Sequence, residues 1–327
     1  IIHGFILTAN PVGSRFLSKK YNINLSPATI RNVMADLEEM GYIEQPYTSA
    51  GRIPTSKGYR FYVNSLMMVE KLTSQEKRSI KKHFESVNKN VDEILEKTSQ
   101  VLGRITKQLG VAIGPRLSEG IFERMELIQI SSNRLMVIIS IKAGIAKTMM
   151  MEINSEIPRS ELEETSRIIN ERLQGLSISE IRKTFAKRIC DISGGNKELI
   201  RLFVDSSDNL FEFTQKNFHL GGTKNIIEQP EFSSTENMKT IIELIEDKNI
   251  IIHLLSKNEE SDGIKISIGE ENEIKSAKDF SVISSNYYIG NIRGTLGVIG
   301  PTRMRYSKIV SLVEYTANLL NNILEVE

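Results

Sequence analysis

The chain has 327 residues, 40% of them hydrophobic, and its 42 basic and 41 acidic side chains leave a formal net charge of +1. That length fits two or three domains, and a near-neutral total points to no particular class of partner. One cysteine, Cys190, excludes an internal disulfide and a cysteine-built zinc site, and the apolar runs at 135–141 and 250–255 fall well short of the ~20 residues that span a bilayer.

The first sixty residues carry the strongest pattern. The chain opens at Ile1 inside an apolar helix ending at Ile6 and Leu7. With no signal peptide ahead of it, the expectation is a cytoplasmic protein whose start lies some residues upstream. Pro11-Val12-Gly13-Ser14 turns into a short helix at 14–21, with Ser14 as cap, Phe16 and Leu17 inward, and Arg15, Lys19 and Lys20 outward. Asn22 to Asn24 turn again. Ser26 caps a second helix, and Pro27 suits its first position because the missing N–H is unpaired there anyway. Ile30, Val33, Met34 and Leu37 recur at helical spacing and are expected inward, with Ala28, Thr29, Arg31 and Asn32 outward. Gly41 ends the helix in a left-handed conformation. A strand at 42–45, a loop at 47–52 and a second strand at Ile53 follow.

Helix, turn, helix and β-hairpin in that order predict a winged helix-turn-helix. In such a motif the second helix enters the major groove while neighbouring groups hold phosphates. Arg pairs well with guanine and Asn with adenine, so Arg31 and Asn32 are the expected base readers beside Ser26 and Thr29. Arg52, in a loop made slim by Ala50 and Gly51, is expected on the wing tip against backbone or minor groove. Lys57 and Arg60 are expected on phosphates nearby, with Arg15. Residues 1–62 hold seven basic side chains (Arg15, Lys19, Lys20, Arg31, Arg52, Lys57, Arg60) against four acidic ones (Asp36, Glu38, Glu39, Glu44), a local excess of three. That is the footprint of a DNA-reading head on a near-neutral protein.

Thr55 can cap a further helix through Tyr59, Phe61, Tyr62 and Leu66. Thr73-Ser74-Gln75-Glu76 is a capping box opening a long linking helix over 73–109. Its seam, Ile80, Phe84, Val87, Val91, Ile94, Val101 and Ile105 with a gap at Thr98, steps by four and three. It can face the chain's own body or a second copy; a heptad repeat does not separate the two. Alternating strands are predicted at 122–130, 134–141 and 145–153, as an antiparallel meander. Two helices follow, 160–173 and 177 to about 192, each opened by a box, Ser160/Glu163 and Ser177/Glu180. A third runs from Asn196 to about Phe218, and Gly221-Gly222 marks the exit. The chain continues with a helix at 238–255, strands at 263–269, 280–288 and 294–299, and a final amphipathic helix from about 306 to 324. Strands, a helical block and strands again describe an inserted domain in an α+β protein. Leu162, Ile168, Ile169 and Leu173 on one helix of the block, with Ile181, Phe185 and Ile189 on the next, exceed what two short helices need for their own packing, so the main dimer interface is expected there.

No catalytic constellation emerges. His3, His83, His219 and His253 lie far apart, without HExxH or H-x-x-x-H spacing, so neither metal nor cofactor is expected. Gly297 to Arg303 reads as a strand-to-helix turn capped by Thr302 rather than a phosphate cradle. Ile268-Gly269-Glu270-Glu271-Asn272 reads as a solvated loop. Cys190 reads as a small buried side chain beside Ile189.

PVGSR, LSPATIRNVMADLE and SAGRIPTSKGYRFYV, followed in order by NIIEQPEF (225–232), IGEEN (268–272) and GVIGPTRMRY (297–306), resemble the HrcA heat-inducible repressors over nearly the whole chain. Arg305 stands where that family usually has an acidic residue. The resemblance implies a winged helix at 1–72, a GAF-like domain at 110–158 and 223–327, and an inserted dimerising domain at 159–222. It implies a homodimer on an inverted-repeat operator upstream of chaperone operons, released on heat stress, with the chaperonin GroEL restoring the active fold. The other readings are a ligand-responsive regulator whose GAF-like domain binds a metabolite, and an enzyme, for which catalytic residues are lacking.

Overall fold

A computed structural model describes the chain apart from residues 22, 86–89, 191–193, 214–217, 257–262 and 325–327. It is an α+β protein whose described ladders are antiparallel. Two compact units divide it. One holds Ile1–Ile113, Phe218–Tyr287 and Thr295–Leu320; the other holds Gly114–Asn217, Tyr288–Gly294 and Asn321–Glu327.

The chain begins with α1 (Ile2–Thr8), α2 (Ser14–Lys20), α3 (Pro27–Glu39), β1 (Ile43–Glu44) and β2 (Ile53–Pro54), the two strands pairing as a short ribbon. Val12, Leu17, Ile30, Met34 and Ile43 form the core of this head. The Ser26 Oγ accepts the Thr29 N–H at 3.1 Å, and Gly41 takes φ +74° just past the helix, as expected of a left-handed terminator. Two expected core residues are instead exposed: Val33 at 47% and Phe16 at 37%. So small a core takes one narrow stripe of α3, through Ile30 and Met34, and Val33 falls on its shoulder. Ser14 is the first residue of α2 rather than its cap; Gly13 holds the cap position.

Next come α4 (Ser56–Phe61), capped by Thr55, and a π-helical turn at Tyr62–Leu66. The expected long helix is two, α5 (Ser74–Lys82), with the full Thr73/Glu76 capping box, and α6 (Val91–Thr106). Val87 of the seam lies outside the described residues. Ile94, Leu95, Val101 and Leu102 of α6 are buried against β3 (Leu109–Ile113) and the strand Phe218–Gly221. Thr98, the gap in the seam, is buried too, its hydroxyl donating to the Ile94 carbonyl at 2.7 Å. The seam therefore faces the chain's own sheet, and Ile105 at its end is exposed.

The second unit contains β4 (Phe122–Ser131), β5 (Arg134–Ile141) and β6 (Ile145–Glu152), a meander as predicted, followed by α7 (Arg159–Leu173), α8 (Ile178–Ile189), α9 (Lys197–Asp205) and α10 (Ser207–Leu210). The domain boundaries read from sequence are corrected here. The meander forms a sheet of its own and shares its unit with the helical block, instead of joining the body on either side of an insert at 159–222. Its buried face, Phe122, Met125, Leu135, Val137, Ile139, Ile141 and Met151, needs those helices to cover it. Ser177 caps α8, accepting the Glu180 N–H at 3.2 Å, but α7 starts at Arg159 and Ser160 caps nothing. The helix expected from Asn196 to Phe218 stops at Asp205, and Ile192 lies outside the described residues. Cys190 is exposed.

β7 (Phe218–Gly221), α11 (Thr223–Ile227), α12 (Thr235–Glu246), α13 (Lys248–Ser256), β8 (Lys265–Ile268), β9 (Phe280–Ile289), β10 (Ile292–Pro301) and α14 (Tyr306–Leu324) complete the chain. The sheet order is β7-β3-β10-β9-β8. The predicted helix at 238–255 breaks at Asp247, and Thr302 caps nothing, since α14 begins at Tyr306. One face of this sheet shares a core with α12 and α13, through Val111, Ile241, Leu244, Ile251, Phe280 and Ile299.

Candidate nucleic-acid interface

On α3 the Ser26 cap and Pro27 fix where the helix starts, and the buried Ile30 and Met34 fix its rotation. Thr29, Arg31 and Asn32 consequently stand exposed. The Thr29 and Ser26 hydroxyls lie 2.9 Å apart, and no described residue pairs with Arg31 or Asn32. Arg15, Lys19 and Lys20 extend the exposed surface along α2, with the Lys20 ammonium 5.0 Å from the Phe16 ring centre. The two packed helices thus carry exposed cations on one and, on the other, two hydrogen-bonding side chains with no described partner.

Arg52 departs from its expected place. Its backbone pairs with Val12 in both directions at 2.9 Å, and its guanidinium lies 2.8 Å from the Glu38 carboxylate at the far end of α3. Arg52 thus anchors the loop side of the ribbon to Val12 and to the end of α3. Gly51 serves that contact, since a Cβ there would come within 2.5 Å of the Val12 backbone. The ribbon's tip is 46–50, where Tyr47 is 65% exposed. An aromatic residue in a polar loop was the available signal, and sequence reasoning passed over it. Lys57 donates to the Met40 carbonyl at 2.8 Å, closing the C-terminus of α3 where a cation is favoured.

Arg60 also departs. Its Nε donates to Glu271 at 2.7 Å and its Nη2 to the Ile266 carbonyl at 2.7 Å, and the carboxylate raises the guanidinium pKa. The IGEEN segment is therefore no solvated loop. Ile268 donates its N–H to Glu271, and the buried Asn272 donates to the Ala277 and Phe280 carbonyls at 2.9 and 2.8 Å. A second fork lies nearby. Arg303 holds Glu231, its Nη2 3.1 Å from Oε2, and donates through Nη1 to the Ile6 carbonyl of α1 at 2.8 Å. The Tyr59 and Tyr306 rings, both buried, stand 5.8 Å apart, and burial pushes both phenols up. Four separate strings noted in the sequence, around Arg60, Glu231, Glu271 and Arg303, meet at this junction of head and body.

The expected dimerising residues are spoken for as well. Leu162, Ile169, Leu173, Ile181, Phe185 and Ile189 are at most 5% exposed, and Ile168 is half-buried. They cover the meander and one another, with the Phe185 and Phe211 rings 4.9 Å apart. Among the described residues no cluster of three His, Cys, Asp or Glu could hold a metal, and no helix is long and apolar enough to cross a membrane.

Comparison with known proteins agrees along the chain. The family model described as HrcA protein C terminal domain matches residues 92–310. The heat-inducible transcription repressor HrcA of Chlorobium phaeobacteroides (strain BS1) is 42% identical, covering 99% of this chain and 95% of that one. Its namesake from Chlorobaculum tepidum is 43% identical, covering 99% and 94%. A crystal structure of a hypothetical protein at 2.2 Å resolution superposes with a TM-score of 0.57 at 25% identity, covering 99% of this chain and 95% of that one. The chain belongs to the HrcA family.

Proposed function

We propose that this HrcA-family chain represses transcription by binding DNA through a winged helix-turn-helix made of α1–α3 and the β1–β2 ribbon. The observation that carries the reading is α3, whose Thr29, Arg31 and Asn32 are exposed, the last two with no described partner, on a helix packed against the cation-bearing α2. Arg31 and Asn32 read base edges; Ser26, Thr29, Arg15, Lys19 and Lys20 position the helix on phosphates. The wing reaches DNA through its tip at 46–50, while Arg52 and Lys57 hold the head together and Arg60 ties it to the body.

The operator is an inverted repeat and the repressor a homodimer, because one head reads too few bases for a specific site. A GAF-like body carries the head, and the unit at 114–217 carries the dimer contact. The support there is an apolar face left over once its helices have packed. Ile128, Met136 and Met150 are Cα partners across β4, β5 and β6. Ile128, Ile130 and Met150 are 40%, 53% and 51% exposed. Heat empties the operator and the chaperonin GroEL returns the chain to its active fold. The test is footprinting of the full chain on the upstream regions of its own genome, with and without chaperonin. Protection of paired, inverted half-sites is expected; uniform, sequence-independent protection would remove the reading.

A further inference from the structure

We propose that Arg60, Glu231, Glu271 and Arg303 are positioning residues that fix the angle of the DNA head on its body and so set which half-site spacing is read. The inference rests on the two-headed, inverted-repeat reading above. Its own support is geometric. Arg60 leaves α4 on the head and ends on Glu271 and the Ile266 carbonyl of the body, at 2.7 Å to each. Arg303 leaves the loop between β10 and α14 of the body and ends on the α1 carbonyl of Ile6 at 2.8 Å, with Gln229 at 3.3 Å and Glu231 on its other nitrogens. The two forks act in opposite directions, one arginine from each side.

Both forks are sheltered without being sealed. Arg303 keeps 13% of its side chain exposed and Arg60 30%. Planar guanidinium–carboxylate pairs hold direction as well as distance. A head tied at α4 by one such pair, and at α1 by the carbonyl bond of an arginine that Glu231 orients from the body side, cannot swivel freely. One added base pair moves a half-site by about 3.4 Å and turns it by roughly 35°. A head of fixed angle tolerates little of that, and a swivelling head tolerates more. None of the four residues belongs to the DNA-facing surface, so their loss acts through orientation.

The experiment uses the full-length chain and a duplex carrying two inverted copies of a half-site selected by that chain from a random library. The spacer is varied from two base pairs short to two base pairs long, and a duplex with one half-site serves as reference. Wild type should lose roughly 10²-fold in affinity at either end of the series, because avidity vanishes when geometry forbids both heads. The Arg60→Gln, Arg303→Gln double variant should lose less than about tenfold over the same series, with single-half-site affinity unchanged. If the double variant does not fold, Glu271→Gln, which keeps shape and removes charge, should flatten the profile in the same sense. Equal weakening at every spacing, or an unchanged profile, overturns the proposal. Wild type binding paired and single half-sites equally well sinks the two-headed reading, and the proposal falls with it.

Discussion

Arg31 and Asn32 leave α3 with no described partner and no packing duty, so their loss should change which sequence is read more than whether the chain folds. Arg31→Ala or Asn32→Ala is expected to cost ~1–3 kcal/mol in operator binding and to relax preference at one position per half-site. Competition with operator variants checks this, and equal weakening toward all duplexes would confine the pair to phosphates. Lys19→Ala should lower the log–log salt slope by about 0.9 if it neutralises one phosphate. Arg52→Ala is expected to behave in the opposite way: a lower Tm from the lost Glu38 pair and ribbon anchor, with the slope unchanged. Sequence alone suggested Arg52 as a wing-tip contact to DNA backbone or minor groove because Ala50 and Gly51 make its loop slim. The slimness instead admits the Val12 backbone. Ser26 and Gly41 were legible because a cap or a terminator acts within a few residues of itself. The Arg60–Glu271 pair was not, because its members lie 211 positions apart and only the folded body brings them together.

The elements that sequence reading missed are those without a period. β3 is buried over Leu109–Ala112 on both faces, so it shows no alternation and reads as the tail of the preceding helix. β7 has four residues, too few for any pattern. The capping box on α5 was legible, and it also carries a contact between elements. Glu76 closes the box through the Thr73 N–H at 2.8 Å and receives Lys308 of α14 at 2.6 Å. The Lys308 ammonium, and then the Thr73 N–H, hold its carboxyl down to about 2. A folded pKa below the unfolded ~4.3 means this contribution is present above that value and is lost as pH falls toward the folded one. Glu76→Gln should therefore lower Tm near neutral pH, and the gap to wild type should narrow steadily between about pH 4.5 and 2. A gap independent of pH would show that the carboxylate charge contributes nothing to joining α5 and α14.

At the scale of the whole molecule, the helices expected to pair two copies are the ones that complete the second unit's own core. Deleting them would strip the meander of its cover, so the proposed dimer has to be tested on a face that is not already in use. The row Ile128, Met136 and Met150 lies on the outer face of β4–β6, with Ile138 of β5 half-buried beside it. Sheets pack face to face at about 10 Å when their facing side chains are apolar, and a two-fold axis makes such a face complementary to itself. Methionine at two of the three places fits a surface that must adapt to its own copy. Ile128→Glu with Met150→Glu puts two carboxylates from each subunit into that contact, where they would be desolvated and mutually repelling. The variant is expected to sediment as a monomer, keep a wild-type-like melting transition because both sites are already exposed, and bind a paired operator no better than a single half-site. A dimer that survives both substitutions would move the interface to another surface. A variant that loses its melting transition would show that the row supports the fold of its own unit.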